Sequence, residues 1–114
     1  MTTSLDFRRE VIEENFGDLG GTELSGFLAE VIEQFRADLR SICEGGPAET
    51  GAALHRVAGS APSVGCVSLG RLARTAMAHP VPTPPELVSA LQAALFWLED
   101  LLKEVNLNQG ETKQ

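Results

Sequence analysis

Four side chains of this 114-residue chain could act as nucleophiles or soft metal ligands near neutral pH: His55, His79, Cys43 and Cys66. The two cysteines are 23 residues apart, and no pair among the four has metal-ligand spacing, so a metal centre built from them is a weak reading. A hydrolytic site is weaker still, because no nucleophile, base and acid fall together and the two histidines lie on different elements. In a reducing compartment the cysteines read as free thiols. Cys43 follows Ile42 at the end of an apolar helical pattern and is expected to be a small buried hydrophobe. His55 remains as the residue with chemistry to explain.

At about 100° per residue, Leu54, Val57, Ala61 and Val64 form the core stripe of a helix, and His55 points about 140° from its centre, into solvent. Its helical neighbours are Ala48, Gly51, Ala52, Ala58, Gly59 and Pro62, all small or compact. Gly51 and Gly59 each cost about 1 kcal/mol of helix propensity relative to alanine, and Pro62 costs more. Such a collar leaves the imidazole standing above a bare surface that a partner's backbone could approach closely.

The elements that carry it are helical. A first segment runs from about Ser4 to Phe16, with Thr3 or Ser4 as N-cap and Phe7, Val11 and Ile12 on one face. Thr22 caps a second, whose apolar positions Leu24, Phe27/Leu28, Val31/Ile32, Phe35, Leu39 and Ile42 recur at steps of three and four. Gly45-Gly46-Pro47 stops that helix and starts the next, expected over Pro47 to Val64. After a break at Gly65, a fourth helix covers Val67 to Met77, with Leu69, Leu72, Ala73 and Ala76 inward. His79-Pro80-Val81-Pro82 reads as a rigid connector. Thr83 then caps a last helix with Leu87, Leu91, Ala94, Leu98, Leu101 and Val105 on its inner face. Short loops make consecutive helices antiparallel neighbours. The expected fold is all-α: an up-down-up-down four-helix bundle with an additional short N-terminal helix packed across one end. Residues 1–108 form one domain and residues 109–114 a disordered tail.

Composition agrees with one aliphatic core: 43% of residues are hydrophobic and only 5% aromatic. No apolar run reaches about 18 residues, and the N-terminus lacks the layout of a signal peptide, so a cytoplasmic protein is expected, without a membrane partner. The net charge of −7 argues against nucleic acid. From Thr50 to Pro85 there is no Asp or Glu, while Arg56, Arg71 and Arg74 give that stretch +3 and leave −10 on the rest. A mildly basic, acid-free segment in an acidic chain is a surface fit to meet something negative.

The stretch Leu54-His55-Arg56-Val57-Ala58-Gly59-Ser60-Ala61-Pro62-Ser63-Val64-Gly65-Cys66-Val67-Ser68-Leu69 resembles the signature of histidine-containing phosphotransfer (HPt) domains. That signature is a His, a Gly four residues on, a pair of small residues, a second Gly at ten, then an amphipathic helix. His55, Gly59, Ser60, Ala61, Gly65, Leu69 and Leu72 occupy the matching positions. With the helix holding Phe35, Leu39 and Ile42, the resemblance covers roughly residues 4 to 105. It implies that His55 accepts a phosphoryl group from the aspartyl phosphate of a receiver domain and passes it to another. The chain itself would bind no cofactor and carry no kinase or hydrolase activity, the Mg²⁺ belonging to the partner receiver. Response-regulator receiver domains are the implied partners, with a hybrid histidine kinase as a further one, and the chain would be a monomer.

Two positions depart from that pattern. Relatives usually carry a lysine three residues after the His, where this chain has Ala58. A polar residue about 22 positions after the His is here Met77. Arg56, Arg71 or Arg74 could supply the missing charge, since arginine binds phosphate well. Gly51, Ala52, Ala58, Gly59 and Pro62 are the expected surface of partner approach. The competing reading is a docking module that binds receiver or kinase domains without being phosphorylated, as scaffold or competitor.

Overall fold

Apolar residues at steps of three and four bury one face of each long helix, and these faces build the core. The computed structural model describes residues 5–79 and 83–112, the last four by backbone alone. Among them are five α-helices and no strand: α1 (Arg9–Phe16), α2 (Gly21–Glu44), α3 (Pro47–Ser60), α4 (Val67–Ala76) and α5 (Pro85–Thr112), with a 3-10 turn at Pro62–Val64. Phe35 and Leu28 of α2, Leu54 and Val57 of α3, Leu69 and Ala73 of α4, and Leu87, Leu91 and Leu98 of α5 are all buried. No helix among the described residues is long and apolar enough to cross a membrane.

Helix α2 packs against both α3 and α5, and α4 packs against both α3 and α5. Ser25, near the start of α2, donates to Asn106 late in α5, whereas Arg36, further along α2, pairs with Glu99, earlier in α5. Helix α1 lies at one end of the molecule. Asn15 donates to the Ser63 carbonyl at 3.0 Å, Phe16 packs on Phe27, and Arg9 pairs with Glu104.

Several boundaries differ from expectation for identifiable reasons. The first helix begins at Arg9, and the expected caps Thr3 and Ser4 lie outside the described residues. Residues 5–8 are extended instead, and Phe7 forms an antiparallel bridge with Cys66. Arg8 N–H donates to the Gly65 carbonyl at 2.8 Å, Val67 N–H donates to the Asp6 carbonyl, and the Phe7 ring stacks on Trp97. Helix α2 starts one residue before Thr22, with Gly20 as its cap residue. The segment expected as one helix from Pro47 to Val64 divides: Pro62 has no amide to continue the α-helical ladder, and the chain tightens into the 3-10 turn. At the far end α5 continues to Thr112, through the segment expected to be a disordered tail, since adding residues to an established helix is cheap. Lys113 and Gln114 lie outside the described residues, as do residues 80–82 of the expected proline connector.

Candidate functional site

Helix α3 starts where Pro47 needs no amide partner and the Glu49 carboxylate accepts from the Gly46 N–H at 3.2 Å. Its buried arc is Thr50, Ala53, Leu54, Val57 and Ala58. His55 lies outside that arc and is exposed, and it enters no hydrogen bond or ion pair among the described residues. Both ring nitrogens are thus open to solvent or to a partner.

The residues expected around His55 separate into two groups. Ala52 and Gly59 are exposed, and a Cβ added to Gly59 would meet nothing within 4 Å. Gly51 is half-buried. Ala58, expected on the approach surface, is buried instead: it follows Leu54 by four residues and shares the core stripe. Pro62 is half-buried and packs on Gly70 of α4, where a Cβ would sit 2.8 Å from the proline Cγ. The open surface beside His55 is therefore Ala52 and Gly59. Ala58 belongs to the core, and Pro62 packs the 3-10 turn against α4.

Gly65, the second glycine of the pattern, also has a structural task. It has φ of 81°, and a Cβ there would fall 2.1 Å from the Arg8 carbonyl oxygen. The extended residues 5–8 need that closeness to cross the turn between α3 and α4.

The three arginines have different surroundings. Arg56 Nε and Nη2 both lie 2.8 Å from Oδ1 of Asp38 on α2, which also accepts from Gln34 Nε2 at 3.1 Å. The Asp38 side chain is wholly buried, and its Oδ2 has no hydrogen-bond partner among the described residues. Arg71 lies in a groove of about 540 Å³ with Leu5, Ser68, Pro85 and Glu86, close enough to Asp6 for its charge to help lower that carboxyl below the ordinary value, after the larger effect of the hydrogen bond from Arg8. Arg74 is exposed in the last turn of α4 and enters none of the ion pairs among the described residues.

Sequence reading missed Asp38. The signal was present: Asp38 is three residues after Phe35 and four before Ile42, an acid inside the apolar stripe of α2. A buried carboxylate needs a cation, and Arg56 supplies it.

Cys66 is buried, and burial pushes its thiol up to about 12. Cys43 is exposed rather than buried, because it sits about 100° round the helix from the inward Ile42. Met77, at the position 22 residues after His55, is 37% exposed. His79 is exposed as well. Among the described residues no group of three or more His, Cys, Asp and Glu is gathered to hold a metal ion. A groove of about 630 Å³ lies at the α1 end, lined by Ile12, Phe16, Leu24 and Val105, and does not include His55.

No protein-family model, curated protein or solved structure matches the chain.

Proposed function

We propose that the protein is a phosphorelay intermediate in which His55 accepts a phosphoryl group from the aspartyl phosphate of a receiver domain and hands it to another receiver. The observation that carries this reading is the imidazole itself, exposed on α3 and without a hydrogen-bond or ion-pair partner among the described residues, with the bare surface of Gly59 one turn away. The ring nitrogen attacks phosphorus, an N–P bond forms, and the P–O bond to the partner's carboxylate breaks with its electron pair staying on that carboxylate. The reverse step onto a second receiver regenerates neutral His55. Such transfer asks a protein for positioning and charge neutralisation, and the partner's Mg²⁺ site supplies much of the latter.

The bundle order suits the role. The α2–α5 pairs Ser25–Asn106 and Arg36–Glu99 run in opposite senses along the two helices, and α3 and α4, joined by a short turn, pack against each other. Both support an up-down-up-down arrangement of α2, α3, α4 and α5. A cytoplasmic monomer without a cofactor of its own completes the proposal.

Burial of Ala58 favours a second reading, a docking module without phosphorylation, because no cation extends from that position. Comparing His55→Gln with Gly59→Arg in cells separates the two. Loss of signalling in both variants supports phosphotransfer, and loss only in the blocked Gly59→Arg variant supports docking.

A further inference from the structure

A phosphoryl group on His55 would carry about −1.5 to −2 charges at pH 7. Its surroundings must answer that charge when a docked partner excludes water. The acid-free stretch from Thr50 to Pro85 offers three cations, Arg56, Arg71 and Arg74. Arg56 is held by Asp38 on the α2 side of α3. Arg71 faces the groove with Leu5, Pro85 and Glu86, on the α5 side of α4. Arg74 is exposed and enters none of the ion pairs among the described residues.

The register of α3 and α4 relates Arg74 to His55. A Cβ at Gly70 would meet Pro62, so the edge of α4 that carries Gly70 faces the 3-10 turn that directly continues α3. Arg74 is one turn further along that edge, and Met77 follows it. On α3, His55 lies about two turns before Pro62. With α4 folded back on α3, the paths from the Pro62–Gly70 crossing to His55 (about 10 Å) and to Arg74 (about 6 Å) run in the same direction. Ala58, Gly70 and Ala73, all buried, let the two helices lie close. The remaining offset of about 4 Å along the axis is within reach of a long arginine stem. On the opposite flank, Arg56 is about 100° round α3 from His55 and already committed.

Resting on the phosphotransfer reading, we infer that Arg74 is the cation that binds the phosphoryl group on His55. Phosphoramidate provides the test, since it phosphorylates without a partner. The imidazole nitrogen attacks phosphorus, the N–P bond forms, and the donor's own P–N bond breaks to release ammonia. Wild type, Arg74→Ala, Arg74→Lys, Arg71→Ala and the neutral pair Asp38→Asn/Arg56→Gln are treated in parallel. The phosphohistidine is then titrated by phosphorus NMR, with helix content checked by circular dichroism.

Losing the neighbouring cation should raise the phosphoryl group's apparent pKa in Arg74→Ala and slow phosphorylation roughly fivefold to tenfold. Arg74→Lys should restore both, while Arg71→Ala and the neutral pair should titrate as wild type. An arginine serving only the α4 helix dipole would change stability and leave the titration unmoved. An unshifted Arg74→Ala, or a larger shift in either of the other variants, overturns the assignment of Arg74 alone. A wild-type chain that takes no phosphoryl group at His55 overturns the function and this inference with it.

Discussion

The guanidinium of Arg56 closes on Oδ1 of Asp38, with Nε and Nη2 each 2.8 Å away. The arginine side chain keeps 45% of its surface exposed while the carboxylate has none. The pair is therefore lopsided, and so are the consequences of breaking it. Removing Asp38 leaves a cation that water can still reach. Removing Arg56 strands a carboxylate that water cannot reach. Arg56→Ala should cost roughly 2–4 kcal/mol and Asp38→Ala clearly less, measured by urea unfolding. Equal costs would mean that Asp38 rehydrates when Arg56 is lost.

The glycines divide in the same way. Gly59→Ala and Gly26→Ala, both on open helix surface, should each stabilise the fold by about 0.5–1 kcal/mol. Only Gly59 lies beside His55, so Gly59→Arg should block receiver-dependent phosphorylation while Gly26→Arg does not. Gly65→Ala should destabilise by at least 2 kcal/mol, since both its φ of 81° and the Arg8 carbonyl exclude a side chain.

Pro62 and Gly70 should be coupled. A methyl at Gly70 would press on the proline ring at 2.8 Å, so Gly70→Ala should cost about 1–3 kcal/mol in the native sequence. Part of that cost should vanish when Pro62→Ala is already present. A double-mutant cycle in urea gives the coupling, and simple additivity would show that the helices move apart freely.

The two thiols should behave as opposites. Exposed Cys43 should react rapidly with a thiol reagent in the native protein, and Cys66 only on unfolding. Burial raises the Cys66 thiol from 9.0 to about 12, so the folded state favours its neutral form. That contribution is fully present below pH 9 and is lost as pH rises from there toward about 12. Cys66→Ala should show a shallower loss of stability over this window in denaturant titrations.

Much of this architecture was legible in the spacing of apolar residues. The stripe Leu54, Val57, Ala61 and Val64 is buried, as is Leu87, Leu91, Ala94, Leu98 and Leu101, and His55 lies outside the first of these as expected. Ala58 escaped because α3 packs on both α2 and α4 and buries a wider arc than four core positions define. The extended strap at residues 5–8 escaped because its partner lies at residues 65–67, and no local pattern reports a contact across such a separation. That contact also explains Gly65, whose glycine reads equally well as a helix break. Asp38 was readable in principle, as an acid within an apolar stripe. Its choice of Arg56 over other cations depends on how α2 and α3 are aligned, which spacing alone does not fix.

The central claim concerns His55 and is tested most directly with labelled receivers. Each receiver domain of the organism is phosphorylated with radioactive phosphate and mixed with the wild-type chain or with His55→Gln. Phosphotransfer predicts that at least one receiver moves its label to the wild-type chain within minutes. The label should be lost in acid, as a phosphohistidine requires, and His55→Gln should receive none. Label that appears equally on His55→Gln, or that no receiver delivers to the wild-type chain, would contradict it.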